Sequence, residues 1–302
     1  MRIVSLLPSA TEILYAVGAG HEVVGVTFEC DEPARARRDA TVVSTSSLPT
    51  GADGLPLAPA QIDAAVRERL AAGEDLYHLD RDALARLDAD LVVTQDLCAV
   101  CAVDVSVVHD ALAYLGCTAR VLTTDPHTLA EVLDSIEQVG RASGHERAAR
   151  DLSTGLRERL GALPGATAPD AARVAVLEWT DPPFAPGHWV PEMVQVAGGH
   201  SVLGAPGEKS VTTTWSDVAA ARPDIVVVAP CGFDLTTSVG LTQELLAGPL
   251  GGLPDPQVWA VDANASYARP GPRLVDGAEA LAAILDPARF GAPDPALARR
   301  CR

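Results

Sequence analysis

Lysine is all but missing from this chain. Lys209 is the one lysine, and the remaining positive charge is arginine. Acidic side chains number 40 against 23 basic ones, so the 302 residues carry a formal net charge of −17. A surface so poor in cations does not neutralise a phosphate backbone, which excludes nucleic acid as a partner, and it does not dock on an anionic membrane. No run of about 18 apolar residues occurs, so no membrane span is expected. Read from Met1, no apolar signal region or small-residue cleavage site precedes the first strand, and the expected location is cytoplasmic. The six cysteines are then expected to be reduced thiols rather than disulfides. Familiar catalytic signatures are also missing. The histidines form no H-x-x-E-H or H-E-x-x-H pattern, and no G-x-S-x-G elbow or G-x-G-x-x-G turn follows a strand. The segment from Gly204 to Ser210 has an extra glutamate between glycine and lysine, so it is not a phosphate loop.

What the chain does have is a long apolar stripe at its centre. Between Pro126 and Pro164, Leu129, Val132, Leu133, Ile136, Val139, Ala142, Ala149, Leu152, Leu156 and Leu160 recur every three or four residues. The spacing predicts one helix over 127–163, on the order of 55 Å long, despite the weakening glycines Gly140, Gly144 and Gly155. On each side the pattern alternates between strand and helix. Strands are expected at Arg2–Leu7, Glu22–Thr27, Thr41–Ser44, Asp90–Thr94 and Thr118–Leu122. In the second half they are expected at Arg173–Leu177, Asp224–Ala229 and Gln257–Val261. Ser9 and Glu12 read as a capping box, and a helix is expected over Val105–Leu115. The expected division is an N-terminal lobe, 1–125, a linking backbone helix, 126–164, a C-terminal lobe, 165–286, and a frayed tail, 287–302. The class is α/β, with a cleft between two lobes braced by a stiff strut.

Ligands of open α/β sheets bind beyond the carboxyl ends of the strands. Cys30, Cys98, Cys101 and Cys231 each follow a predicted strand, and Cys98-x-x-Cys101 has the spacing of a two-thiolate metal clamp. Three readings of these four stand: metal ligands converging in the cleft, redox or nucleophilic thiols, or small buried hydrophobes. Cys117 reads as core and Cys301 as tail. Glu29 and Asp31 flank Cys30 as ligand contacts or as turn formers before Pro33. His188, beside Trp189, is the best placed histidine for a ligand. Trp179, Trp189, Phe184 and Tyr267 fall in loops of the second half, either as a platform for a flat, partly apolar ligand or as loop packing.

The opening I-V-S-L-L-P-S-A-T-E-I-L, followed by G-V-x-x-x-C-D-E-P, resembles the class III periplasmic substrate-binding proteins, also called helical-backbone metal receptors. E-W-T-D-P-P-F with Gly198-Gly199, R-P-D-I-V-V-V at 222–228 and R-P-G-P-R-L at 269–274 extend the resemblance, with the vitamin-B12-binding branch nearest. The resemblance implies two Rossmann-like lobes with parallel sheets joined by one long backbone helix. It also implies a metal-containing small molecule in the cleft, a corrinoid such as cobalamin first, and an ABC permease as partner. Where the B12 branch lines its cleft with aromatics, this chain carries Glu29, Ser46, Gln95 and Ser210, and its start resembles leaderless relatives. The expected contacts are therefore Glu29, Asp31, Gln95, Glu178, Trp179, His188, Trp189 and Tyr267. Such a protein binds and need not catalyse. The alternative is a cytosolic metalloprotein or enzyme in which Cys30, Cys98, Cys101 and Cys231 hold zinc or an iron–sulfur cluster in the same cleft.

Overall fold

The computed structural model describes residues 1–49, 57–95, 119–165 and 170–302. Cys98, Cys101, Cys117 and the helix expected over Val105–Leu115 lie outside the described residues. The chain forms two compact units. The first comprises Met1–Pro126 and Val132–Gly155, the second His127–Glu131 and Leu156–Arg302.

The first unit is built on six strands: β1 (Ile3–Ser5), β2 (Val23–Thr27), β3 (Thr41–Ser46), β4 (Tyr77–Leu79), β5 (Leu91–Gln95) and β6 (Arg120–Thr124). They lie in the order β4-β3-β2-β1-β5-β6, and every neighbour pair is parallel except β3 with β4. Ile3, Val4, Leu91, Val92 and Val93 are fully buried. Continuous apolar strands of this kind suit a parallel sheet covered on both faces. Chain order reverses at β1, so the topological switch lies between β1 and β5. The helix Pro8–Ala16 begins two residues earlier than the expected capping box allows. Pro8 occupies its first turn, Leu7 is the N-cap without a side-chain bond, and Ser9 and Glu12 are buried inside the helix. Proline's fixed φ starts the helix before the serine can cap it.

The second unit carries β7 (Arg173–Leu177), β8 (Trp179–Thr180), β9 (Pro183–Ala185), β10 (His200–Ser201), β11 (Val211–Thr212), β12 (Ile225–Val228), β13 (Gln257–Val261) and β14 (Ala298–Arg300). The larger sheet runs β10-β7-β12-β13-β14, and a small antiparallel sheet runs β11-β9-β8. In the larger sheet only the β13–β14 pair is antiparallel. β14 corrects the expected frayed tail. Ala298 is buried, Cys301 N–H donates to the Val258 carbonyl at 2.8 Å, and the Arg302 guanidinium donates to the carbonyls of Pro256 and Leu250. The tail covers an edge of β13 whose backbone groups would otherwise lack partners.

The α/β class, the two lobes and the parallel-containing sheets are as expected, but the central helix is not one rod. It is two helices, Leu129–Ala142 and Glu146–Gly161. The first ends in a Schellman motif. Gly144 has φ +79°, its N–H donates to Arg141 O at 3.3 Å, and His145 N–H donates to Gly140 O at 2.7 Å. The Arg120 guanidinium takes the Ala142 carbonyl. Ser153 Oγ donates to Glu137 Oε1 at 2.7 Å, whereas a straight helix would hold these residues about 24 Å apart. The chain turns back at Gly144, and the apolar stripe continues on a second helix.

Candidate functional site in the second unit

The best-defined polar and aromatic cluster sits where β7, β12 and β13 end. These parallel strands deliver Glu178, Cys231 and Asp262 at their carboxyl ends. Backbone bonds tie the three ends together: Cys231 N–H to Glu178 O at 3.0 Å, Glu178 N–H to Phe184 O at 3.2 Å, and Asn264 N–H to Phe233 O at 3.1 Å. Asp262 caps the short helix Ala263–Ser266 by accepting from Ala265 N–H at 2.8 Å, and Tyr267 follows. The Trp179 and Phe233 rings lie 5.6 Å apart at 33°. Trp189 Nε1 donates to the Tyr267 carbonyl at 2.8 Å.

Glu178 retains a little surface, but its carboxyl is enclosed. It accepts from the Ser210 hydroxyl and, at 3.4 Å, from Gly187 N–H. Burial raises its pKa from the ordinary 4.5 to about 7, and the two donors only partly oppose that rise. The acid therefore bridges two loops, and those loops touch. A Cβ on Gly187 would stand 2.2 Å from Ser210 N and 2.5 Å from Glu208 O, so only glycine fits. His188 comes next, with φ +50°, a conformation that non-glycine residues seldom adopt. Its backbone is clamped on both sides: His188 N–H donates to Glu208 O at 2.6 Å, and Gly207 N–H to His188 O at 2.9 Å.

A second imidazole joins it from far away in sequence. The His127 ring lies 5.4 Å from that of His188, at 58°, and its Nδ1 lies 3.3 Å from Gly207 O. His127 is held by the start of the helix Leu129–Ala142. Thr128 and Glu131 form a capping box there, Glu131 also accepts from His127 N–H at 2.6 Å, and Glu192 accepts from Leu129 N–H at 2.6 Å.

The expected contacts are distributed as follows. Glu178, Trp179, His188, Trp189 and Tyr267 gather in this cluster, but the loop aromatics do not all form an open platform. Trp189 is 4% exposed and Tyr267 2%, so both are packed inside; Trp179 and Phe184 keep partial exposure. Burial raises the Tyr267 phenol pKa, and its hydroxyl has no hydrogen-bond partner among the described residues. Cys231 is an exposed thiol at the end of β12. Glu29, Asp31, Gln95 and Cys30 belong to the first unit. There Glu29 Oε2 accepts from the Tyr77 hydroxyl at 3.1 Å. Gln95 is buried at the end of β5, and Asp31 is half-buried. Cys30 is fully buried, with Thr11 Oγ1 2.9 Å from its sulfur. Among the described residues no group of three or more His, Cys, Asp or Glu side chains is arranged to hold a metal ion. Sequence reasoning missed His127. The Thr128-Leu129-Ala130-Glu131 capping box was the available signal, since it fixes where the helix starts and what stands before it.

No family model matches the sequence, and no curated protein sequence matches it. Solved structures do. A periplasmic heme-binding protein from Pseudomonas aeruginosa superposes with a TM-score of 0.67 at 16% identity, covering 98% of this chain and 96% of that one. The periplasmic vitamin B12 binding protein BtuF of Vibrio cholerae gives 0.61 at 21% identity, covering 95% and 97%. The periplasmic heme-binding protein HutB of Vibrio cholerae gives 0.65 at 18% identity, covering 94% and 98%. The fold of this chain is thus that of the periplasmic binding proteins for heme and vitamin B12, the fold implied by its opening motif. Among the described residues no helix is long and apolar enough to cross a membrane.

Proposed function

We propose that this chain is a binding protein for a metal-containing small molecule, with a corrinoid such as cobalamin as first choice. The observation that carries the reading is a fold shared over nearly the whole chain with proteins named for binding heme and vitamin B12. The cluster at the ends of β7, β12 and β13 supports it. Partly exposed Trp179 with Phe233 offers an apolar face, and the adjoining Glu178, bonded to Ser210, adds polar groups, a mix that suits a flat chelate with polar substituents. Binding needs no bond to break. An ABC permease is the partner this reading implies. The neighbours are periplasmic by name, so the reading carries that compartment as an alternative to the cytoplasmic one, and cell fractionation separates the two. Absorbance titration with aquacobalamin and with hemin tests the proposal. One equivalent of one chelate is expected to bind, and Trp179→Ala is expected to weaken it roughly 5- to 30-fold, the loss of about 1–2 kcal/mol of ring burial. Titrations that leave both spectra unchanged would sink the reading. Zinc or iron co-purifying in a manner that Cys98→Ser abolishes would favour the thiolate-bound metal instead.

A further inference from the structure

We propose that the Tyr267 hydroxyl and the Trp179 indole N–H are donors reserved for an oxygen acceptor on the bound molecule and stay unpaired until it binds. This deepens the chelate reading and rests on it. Both atoms are closed to solvent and have no hydrogen-bond partner among the described residues. Buried donors almost always find a partner, because one left unpaired gives up its hydration and gains nothing in return. Other aromatic donors of this fold obey that rule. Trp189 Nε1 donates to the Tyr267 carbonyl at 2.8 Å, and the Tyr77 hydroxyl donates to Glu29 Oε2 at 3.1 Å. Tyr15 also leaves its hydroxyl unpaired, but its ring is partly exposed and lies under Arg35 in the first unit.

The rest of each residue is already committed to the fold. Tyr267 N–H donates to Ala263 O at 3.0 Å, its carbonyl takes Trp189 Nε1, and the residue is 2% exposed. Trp179 pairs with Phe184 in the antiparallel ladder of β8 and β9, and its ring lies 5.6 Å from that of Phe233. The two residues follow the carboxyl ends of β13 and β7, the end of such sheets where ligands bind. Packing and backbone bonds hold both rings without help from the donors. A phenyl ring at position 267 fills the same space with no polar atom to satisfy, so the hydroxyl serves something other than the fold. Local conflicts of this kind gather at functional sites.

The chemistry of the donors defines the group they await. An indole N–H donates and does not accept. Burial raises the Tyr267 phenol pKa, so the hydroxyl keeps its proton and offers a donor rather than a phenolate ligand for a metal. Both atoms call for an oxygen acceptor, either the amide carbonyl of a corrinoid side chain or the carboxylate of a porphyrin side chain. The bonds form only as the ligand edge takes the place of the side chains that now close over the two atoms. They therefore strengthen the complex, while the unpaired donors cost the unliganded protein stability.

Two measurements on the full-length chain test this. In thermal unfolding without chelate, Tyr267→Phe is expected to hold or raise the Tm, because it deletes a buried group that has no bond to lose. In absorbance titrations with aquacobalamin and with hemin, Tyr267→Phe is expected to weaken whichever chelate the wild type binds. The expected loss is about three- to tenfold for the amide oxygens of aquacobalamin and larger for the carboxylates of hemin. Trp179→Phe, which keeps an aromatic face and removes the N–H, is expected to weaken the same chelate. The opposite signs are the signature, since a hydroxyl that only supports the fold lowers the Tm when it is removed. A lowered Tm in Tyr267→Phe would overturn the proposal whatever the titrations show. Equal chelate affinity in wild type and Tyr267→Phe would overturn it and leave the chelate reading standing. A wild type that binds neither chelate fails that reading, and this proposal with it.

Discussion

At the scale of single residues, Glu178 is the group whose chemistry depends most on its surroundings. An exposed glutamate is ionised at neutral pH. Here, enclosure raises the pKa to about 7, so the folded protein holds a proton that the unfolded chain releases. Stability is then greatest below the ordinary glutamate range and falls as pH rises through the window from about 4.5 to about 7. The shift is worth at most about 3 kcal/mol. Glu178→Gln keeps one acceptor, for Gly187 N–H, and its amide NH2 donates to the Ser210 hydroxyl oxygen instead, but it has no proton to lose. Urea denaturation between pH 5 and 7.5 should show the wild type weakening with pH more steeply than the variant; parallel curves would mean that the carboxyl is solvated. The neighbouring loop makes a related demand. Gly187→Ala drives a methyl into Ser210 N and Glu208 O. It should cost roughly 1–3 kcal/mol by overpacking, read as a lowered Tm.

At the scale of elements, the turn at Gly144 decides how the chain's central stripe is used. Gly140 and Ala149 face each other across that turn so closely that a Cβ on Gly140 would stand 2.1 Å from the Ala149 Cβ. Gly140→Ala should therefore destabilise by roughly 1–3 kcal/mol, and Ala149→Gly added to it should recover much of the loss beyond additivity. A double-mutant cycle reads that coupling; simple additivity would mean the two helices do not meet there. The same turn shows how far the sequence could be read. Strands β2, β5, β7, β12 and β13 were visible because buried parallel strands are short, mostly apolar runs rich in valine. The turn was hidden because helices packed on one interior keep the same period on both sides of it. Two signs of it were present. No apolar residue falls between Ala142 and Ala148, and a glycine sits in that gap. β14 was hidden for another reason. Its arginines read as tail, and only the open edge of β13 makes Ala298–Arg300 a strand. In the candidate site, the strand-end rule put Cys231 just past β12, where the structure has it, because the rule needs only local pattern. The meeting of His127 with His188 is a contact between residues 61 positions apart that no spacing announces.

At the scale of the whole molecule, the units are not consecutive stretches of chain. Residues that sequence spacing assigns to a linker instead divide between the two bodies. Val132–Gly155 belongs to the first unit, and His127–Glu131 to the second. Val132, Leu133, Ile136 and Val139 are almost completely buried, and each apolar side chain of that size withdrawn from water contributes roughly 1.5–3 kcal/mol. A domain is stable by only about 5–15 kcal/mol, so the loss of four such side chains is on the scale of the whole stability. A fragment ending at Pro126 therefore lacks part of its own core, whereas one ending at Gly155 keeps it. Expressed alone, Met1–Gly155 should unfold in a cooperative thermal transition by circular dichroism and give dispersed amide signals. Met1–Pro126 should give neither. If the shorter fragment folded as well as the longer one, the helices after Pro126 would be a connector rather than part of the first unit's interior.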